Sequence, residues 1–260
     1  MHTENAPERA FTGVRWGAGL ITAVVWLVGV TVASLGIGFL AKALSQSVDE
    51  PVFASINRAG TNEWTDVLTT LTKMGNVPQT QWLTVVLAVA LAIWLWRRGQ
   101  RWWIPLFVLP ATWIVSRLCQ FGLAKIVDRD RDAISLIGTN VGAFPSGGVM
   151  RIIAVTGTAV FLAAYYGRWS RRARVWGFAG VAVLGLAEAY FRGRLNQHWL
   201  TDVISGVIVG WLFVAAVAAT VRAFDPIPPA SSTSPAPREP ATAATAATPS
   251  PSSVRPDASR

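Results

Sequence analysis

Residues 16–41 read WGAGLITAVVWLVGVTVASLGIGFLA, and no charged side chain lies between Arg15 and Lys42. A helix needs about 20 apolar residues to cross the hydrocarbon core of a bilayer, and this stretch exceeds that. It also exceeds the roughly 7–15 apolar residues of a signal peptide, so it reads as a retained anchor. Five further segments follow the same pattern: 81–96, 102–124, 149–167, 175–191 and 199–221. The third, fourth and fifth segments carry Arg117, Arg151 and Glu188, and the sixth has Asp202 in its first turn. The expected architecture is all-α: a six-helix transmembrane bundle over residues 16–222, with a segment 1–15 before it and a tail 223–260 after it.

Composition supports that reading. Of 260 residues, 52% are hydrophobic and only 14% charged, against about 25% charged in soluble domains. Lys and Arg number 23 against 14 acidic residues, an excess that in a soluble chain points to nucleic acid. In a chain this apolar it marks membrane orientation instead, and no nucleic-acid partner is expected. One cysteine, Cys119, excludes an intrachain disulfide framework and a cysteine zinc cluster. Two histidines, His2 and His198, leave little room for a histidine-rich metal site, so none is expected.

Short-loop charge sets the expected topology. Arg97, Arg98 and Arg101 join the second and third segments, and Arg168, Arg171, Arg172 and Arg174 join the fourth and fifth. Placing these, with Arg9 and Arg15, in the cytoplasm satisfies the positive-inside rule and puts both termini there. Trp94, Trp96, Trp102, Trp103, Trp169 and Trp176 mark the same ends, as an interfacial aromatic belt does. Stretches 43–80, 125–148 and 192–198 then face the other side. In the first of them, Trp64, Val67, Leu68, Leu71 and Met74 recur at spacings of three and four, which predicts an interfacial helix after the first span. The tail is Pro, Ala, Ser and Thr with balanced charge, a composition that buries no core and predicts disorder.

Charges inside a membrane cost about 2.5–3.5 kcal/mol each and persist mainly when paired or functional. Here they gather at one face: Lys125, Arg129, Arg131, Arg151, Glu188, Arg192, Arg194, His198 and Asp202 all lie near the extracytoplasmic ends of segments three to six. A ring of cations beside an apolar bundle suits a lipid-linked phosphate. The plainer alternative is that each charge only anchors a helix at headgroup level.

Three stretches carry most of this pattern. In Ala143-Phe-Pro-Ser-Gly-Gly148, Ser146 is a candidate N-cap, and the free N–H groups after it can bind phosphate oxygens. In Arg192-Gly-Arg-Leu-Asn-Gln-His198-Trp-Leu-Thr-Asp202, His198 and Asp202 stand four apart, on one helical face. A carboxylate on one ring nitrogen would fix the tautomer and free the other nitrogen as nucleophile. In Lys125-Ile-Val-Asp-Arg-Asp-Arg-Asp132, three Asp offset the basic residues, and a solvated loop of alternating charge is an equal reading.

With those residues in view, the chain resembles the type 2 phosphatidic acid phosphatase superfamily over about residues 16–222. The family's third motif, Ser-Arg-X5-His-X3-Asp, is matched by Arg192, His198 and Asp202, with Phe191 in place of Ser. Its second, Pro-Ser-Gly-His, is matched by Pro145, Ser146 and Gly147, but Gly148 replaces the His. Its first, Lys-X6-Arg-Pro, is degraded: Arg131 is followed by Asp132, and Lys125 is one residue out of register. The resemblance implies a bacterial cell-membrane enzyme acting on a lipid phosphate or diphosphate without metal or cofactor. It makes His198 the nucleophile of a phosphohistidine intermediate and Asp202 its orienter. Arg192, Arg131, Lys125, Ser146, Gly147 and Arg151 would hold the phosphate. Gly148 removes the family's general acid, so the alternative is a catalytically silent lipid-phosphate-binding or scaffold protein on the same fold.

Overall fold

The computed structural model describes residues 14–59, 63–129 and 143–226. They form α-helices α1 (Trp16–Ala43), α2 (Glu50–Ala59), α3 (Thr65–Leu71), α4 (Val77–Arg97), α5 (Trp103–Val127), α6 (Gly147–Tyr166), α7 (Arg171–Arg194) and α8 (Leu200–Phe224). Six of these, α1 and α4 to α8, are long and apolar enough to cross a membrane, which makes the chain an integral multi-pass membrane protein. Helix is the form that satisfies every backbone N–H and C=O without water, which is why apolar spans adopt it.

The spans run past the apolar segments that announce them. α7 starts four residues earlier than the hydropathy segment and ends three later, taking in Arg171 and Arg194. Ser170 caps it, its Oγ accepting from the Ala173 N–H at 3.2 Å. α4 begins at Val77, with Pro78 in its first turn where a missing N–H costs nothing. Polar first and last turns project beyond the hydrocarbon, so the helix continues after the hydropathy has faded.

α6 is the central element and is buried along almost its whole length, against α8, α7, α5 and α4. Val149 and Ile153 on one side pack with Val181, Val203 and Val214. Met150 and Ala154 on another pack with Val30, Val209 and Phe213. The other spans expose large apolar side chains, among them Leu20, Trp82, Phe107 and Leu186, to the lipid.

The expected interfacial helix is present as α3, continued by a 3-10 turn over Thr72–Gly75, with Trp64, Val67, Leu71 and Met74 exposed. A π-helical turn (Ser45–Asp49) and α2 precede it, elements that hydropathy does not signal. The turns at 45–49 and 72–75 pack on α8, α6, α4 and α7, over one end of the bundle. The expected N-terminal segment up to residue 13 and the tail from 227 lie outside the described residues.

Candidate active site

The site grows from the head of α6. The chain enters through a cis Phe144–Pro145 bond, and Ser146 takes the N-cap position. The Ser146 N–H donates to the Asp202 carbonyl at 3.0 Å, which fastens the start of α6 to the first turn of α8. A Cβ on Gly206 would stand 2.7 Å from the Ser146 carbonyl, so the approach of the two helices requires glycine there. Ser146 Oγ makes no capping bond and is buried with no hydrogen-bond partner among the described residues. A helix start also leaves its first N–H groups without intrahelical acceptors. Hydroxyl and N–H groups together form a donor cluster suited to an anion.

His198 is buried two residues before α8 begins. Its Nδ1 lies 3.0 Å from the Ala143 carbonyl. A carbonyl oxygen only accepts, so Nδ1 carries the proton, and in the neutral ring the lone pair is then on Nε2. The expectation assigned this tautomer-fixing role to Asp202. The structure gives it to a backbone carbonyl of the strap leading into α6, because that strap passes directly beside the ring. Asp202 Oδ1 instead accepts from Arg129 Nη1 at 2.8 Å.

Arg129 is the hub of this half of the site. Its Nη1 also donates to Thr201 Oγ1 at 2.7 Å, and its Nη2 pairs with Asp49. Asp49, at the end of the π-helical turn, accepts from the Thr201 N–H at 2.9 Å and the Thr201 hydroxyl at 2.6 Å. One buried guanidinium is thus shared by two buried carboxylates, while Arg129 Nε and Asp202 Oδ2 are buried without a hydrogen-bond partner among the described residues. The Ala143 N–H donates to the Arg129 carbonyl at 2.9 Å, so the same residue ties both the arginine and the histidine to the α6 strap.

The other half surrounds Gly147 and Gly148. Gly147 packs on the amide of Gln120, which accepts from Arg151 Nη1 at 2.6 Å. Arg151 Nη2 donates to the Gly75 carbonyl at 3.0 Å. Arg192 pairs with Glu188 one helical turn earlier and donates from Nη2 to Asn76 Oδ1 at 3.0 Å. A Cβ on Gly148 would overlap the Arg192 guanidinium. The volume that a side chain at 148 would take is therefore filled by a cation.

The structure brings Ser146, Gly147, Arg151 and Arg192 together around the head of α6, with His198 and Asp202 fastened to its entry strap. It does not bring Lys125 there. Lys125 lies on the exposed side of α5, its Nζ 4.4 Å above the Phe121 ring, because the α5 face toward the bundle is occupied by Leu123, Ala124 and Val127. Arg131 lies outside the described residues. Sequence reasoning missed Asp49 and Gln120, and it counted Arg129 in the ring of cations without giving it a role of its own. Asp49 follows a polar turn with no spacing to any other motif, so no signal marked it. Arg129 stands in a run of alternating charge, but burial sets it apart from the exposed Lys125 and Asp128.

Residues 129–225 match the family model of the PAP2 superfamily. The fold is similar to a solved structure, described as the first transmembrane PAP2 type phosphatidylglycerolphosphate phosphatase from Bacillus subtilis. The TM-score is 0.61 at 20% sequence identity, covering 74% of this chain and 93% of that one. No curated protein sequence matches the chain.

Proposed function

We propose that this chain, whose residues 129–225 match the PAP2 superfamily model, is a member of that superfamily and dephosphorylates a lipid phosphate or diphosphate through a phosphohistidine on His198. The observation that carries this reading is the Nδ1 bond to the Ala143 carbonyl, which leaves Nε2 as a nucleophile. In the first step the Nε2 lone pair forms a bond to phosphorus, and the bond from phosphorus to the leaving oxygen breaks. The leaving oxygen keeps the electron pair. In the second step a water oxygen attacks phosphorus, the P–N bond breaks, and phosphate departs. Ser146, the first N–H groups of α6, Arg192 and Arg151 supply donors for the phosphoryl oxygens, whose charge grows in both transition states. Asp202 holds Arg129 and the first turn of α8, and through them the position of His198. The arginine-rich end of the bundle faces the cytoplasm by the positive-inside rule, which sets the site at the extracytoplasmic face.

Gly148 narrows the chemistry. A guanidinium donates hydrogen bonds but does not surrender its proton, so Arg192 stabilises a departing anion without protonating it. Loss of a general acid costs roughly 10²–10⁴ in rate, and an alkoxide suffers most. A departing phosphate needs little protonation, so diphosphate lipids are the favoured substrates. Turnover of phosphatidate and a polyprenyl diphosphate, measured side by side in mixed micelles, tests this. The expected result is faster diphosphate cleavage, and loss of both activities in His198→Ala. Faster phosphatidate cleavage would sink the leaving-group argument, and unchanged turnover in His198→Ala would sink the nucleophile.

The guanidinium in the place of a proton donor also favours a second reading, a lipid-phosphate-binding protein without turnover. Saturable binding of both lipids with cleavage of neither would select it.

A further inference from the structure

A cavity of about 230 Å³ opens in the membrane-spanning part of the molecule, between α1, α5 and α8. Its walls are almost wholly apolar, among them Ala23, Leu27, Val108, Ala111, Phe213 and Ala216. Thr112 also lines it, but its hydroxyl is committed to the Val108 carbonyl at 2.7 Å, which leaves its methyl group to the wall. An apolar cavity of roughly 150 Å³ already suffices to bind benzene, so this one has room for hydrocarbon.

Its depth identifies the leaflet. The lining runs from Ala23 to Val30 on α1 and from Phe213 to Val221 on α8. At 1.5 Å per residue these stripes are about 10–12 Å long, within the roughly 15 Å of hydrocarbon in one leaflet. They lie toward the N-terminal end of α1 and the C-terminal end of α8, whereas His198 and Asp202 lie at the other end of α8. Toward the site the cavity is closed: Val30 and Phe213 pack with Met150, Ala154 and Val209. The cavity is thus separate from the phosphate site and lies at the depth of the opposite leaflet.

The end of the bundle on that side is aromatic and basic. Trp16, Trp103 and Phe224 form an aromatic cluster at the ends of the same three helices, with Trp16 4.8 Å from Phe224 and 6.4 Å from Trp103. Among the described residues, this end of the bundle holds nine arginines against one acidic side chain, Asp225. Arg15, next to Trp16, is exposed. A basic surface at the headgroup level attracts anionic lipids by about 1 kcal/mol per cationic side chain.

We propose that this cavity is a lipid site, occupied by one acyl chain of an anionic phospholipid from the leaflet opposite the catalytic centre, with its phosphate against Arg15. An unfilled apolar recess facing lipid forfeits the contacts of its walls, and an acyl chain restores them. The inference stands apart from the catalytic reading.

The test uses the full chain in liposomes containing phosphatidylglycerol that carries a photoactivatable diazirine on one acyl chain. Illumination followed by peptide mapping is expected to place label on α1, α5 and α8 peptides spanning residues 23–30, 108–115 and 213–221. Ala111→Leu together with Ala216→Leu fills the cavity and is expected to cut that labelling at least fivefold, with labelling elsewhere on the lipid-facing surface unchanged. Arg15→Ala leaves the walls intact and is expected to cut it about threefold. A phosphatidylcholine probe is expected to label these peptides several-fold less than the phosphatidylglycerol probe. Equal labelling in the filled variant, or labelling spread evenly over all spans of the wild type, overturns the site. Equal labelling by the two headgroups overturns its anionic specificity. Protein–protein cross-links at these peptides in place of lipid adducts overturn the lipid occupant in favour of a second copy of the chain.

Discussion

Both ends of this bundle are rich in arginine, but they hold it differently. At one end Arg97, Arg98, Arg168, Arg171, Arg172 and Arg174 are exposed. At the other, Arg129, Arg151 and Arg192 are 4%, 4% and 7% exposed, and each makes two or more polar contacts with protein groups. The exposed set needs no partner because water and headgroups solvate it. The buried set has lost that solvation and is stable only because Asp49, Asp202, Glu188 and Gln120 were buried with it. An arginine held at such cost, in a fixed direction beside unpartnered donors, is arranged for an anion. The difference between the ends is the difference between orienting a membrane protein and building a site.

Three substitutions test that contrast. Arg129→Ala leaves Asp49 and Asp202 buried without their cation, and breaking a buried pair in this way costs about 3–5 kcal/mol. Chemical denaturation in detergent should show that loss, and a change under 1 kcal/mol would mean the cluster is not what holds α8 to the π-helical turn. Ser146→Ala removes an oxygen that bonds nothing among the described residues. Stability should therefore stay within about 0.5 kcal/mol, well short of the usual cost of losing a capping side chain. Phosphate affinity should fall roughly 10- to 150-fold, since a hydrogen bond to a charged group is worth about 1.5–3 kcal/mol. The two are separable by thermal shift with and without phosphate, and unchanged affinity would remove Ser146 from the site. Arg172→Ala, at the exposed end, should change both stability and turnover by less than the scatter of surface substitutions, about 0.5 kcal/mol. A large loss there would erase the distinction between the ends.

The same contrast explains what could be read in the sequence. The spans were legible because hydrocarbon demands long apolar helices, and Trp16–Ala43 and Leu200–Phe224 follow the hydropathy closely. That α6 lies at the centre was not legible. Lipid and protein interior are equally apolar, so a buried span such as α6 and a lipid-facing one such as α1 look alike in hydropathy. Of the site, His198, Asp202, Arg192 and Ser146 were legible because their spacing is local. The Ala143 carbonyl on His198, the Asp49 contact to Arg129 and the Arg192 guanidinium beside Gly148 were not. Each joins positions more than 40 residues apart, and no local pattern encodes such a meeting.

The central claim is that His198 Nε2 attacks phosphorus. Brief incubation of the full chain with a ³²P-labelled lipid diphosphate, followed by rapid denaturation, tests it most directly. The account predicts a protein-bound label that survives alkali and is released by acid, as a phosphoramidate is, and that is absent from His198→Ala. Turnover of the same lipid with no label on His198, or a label of equal amount in His198→Ala, would contradict it.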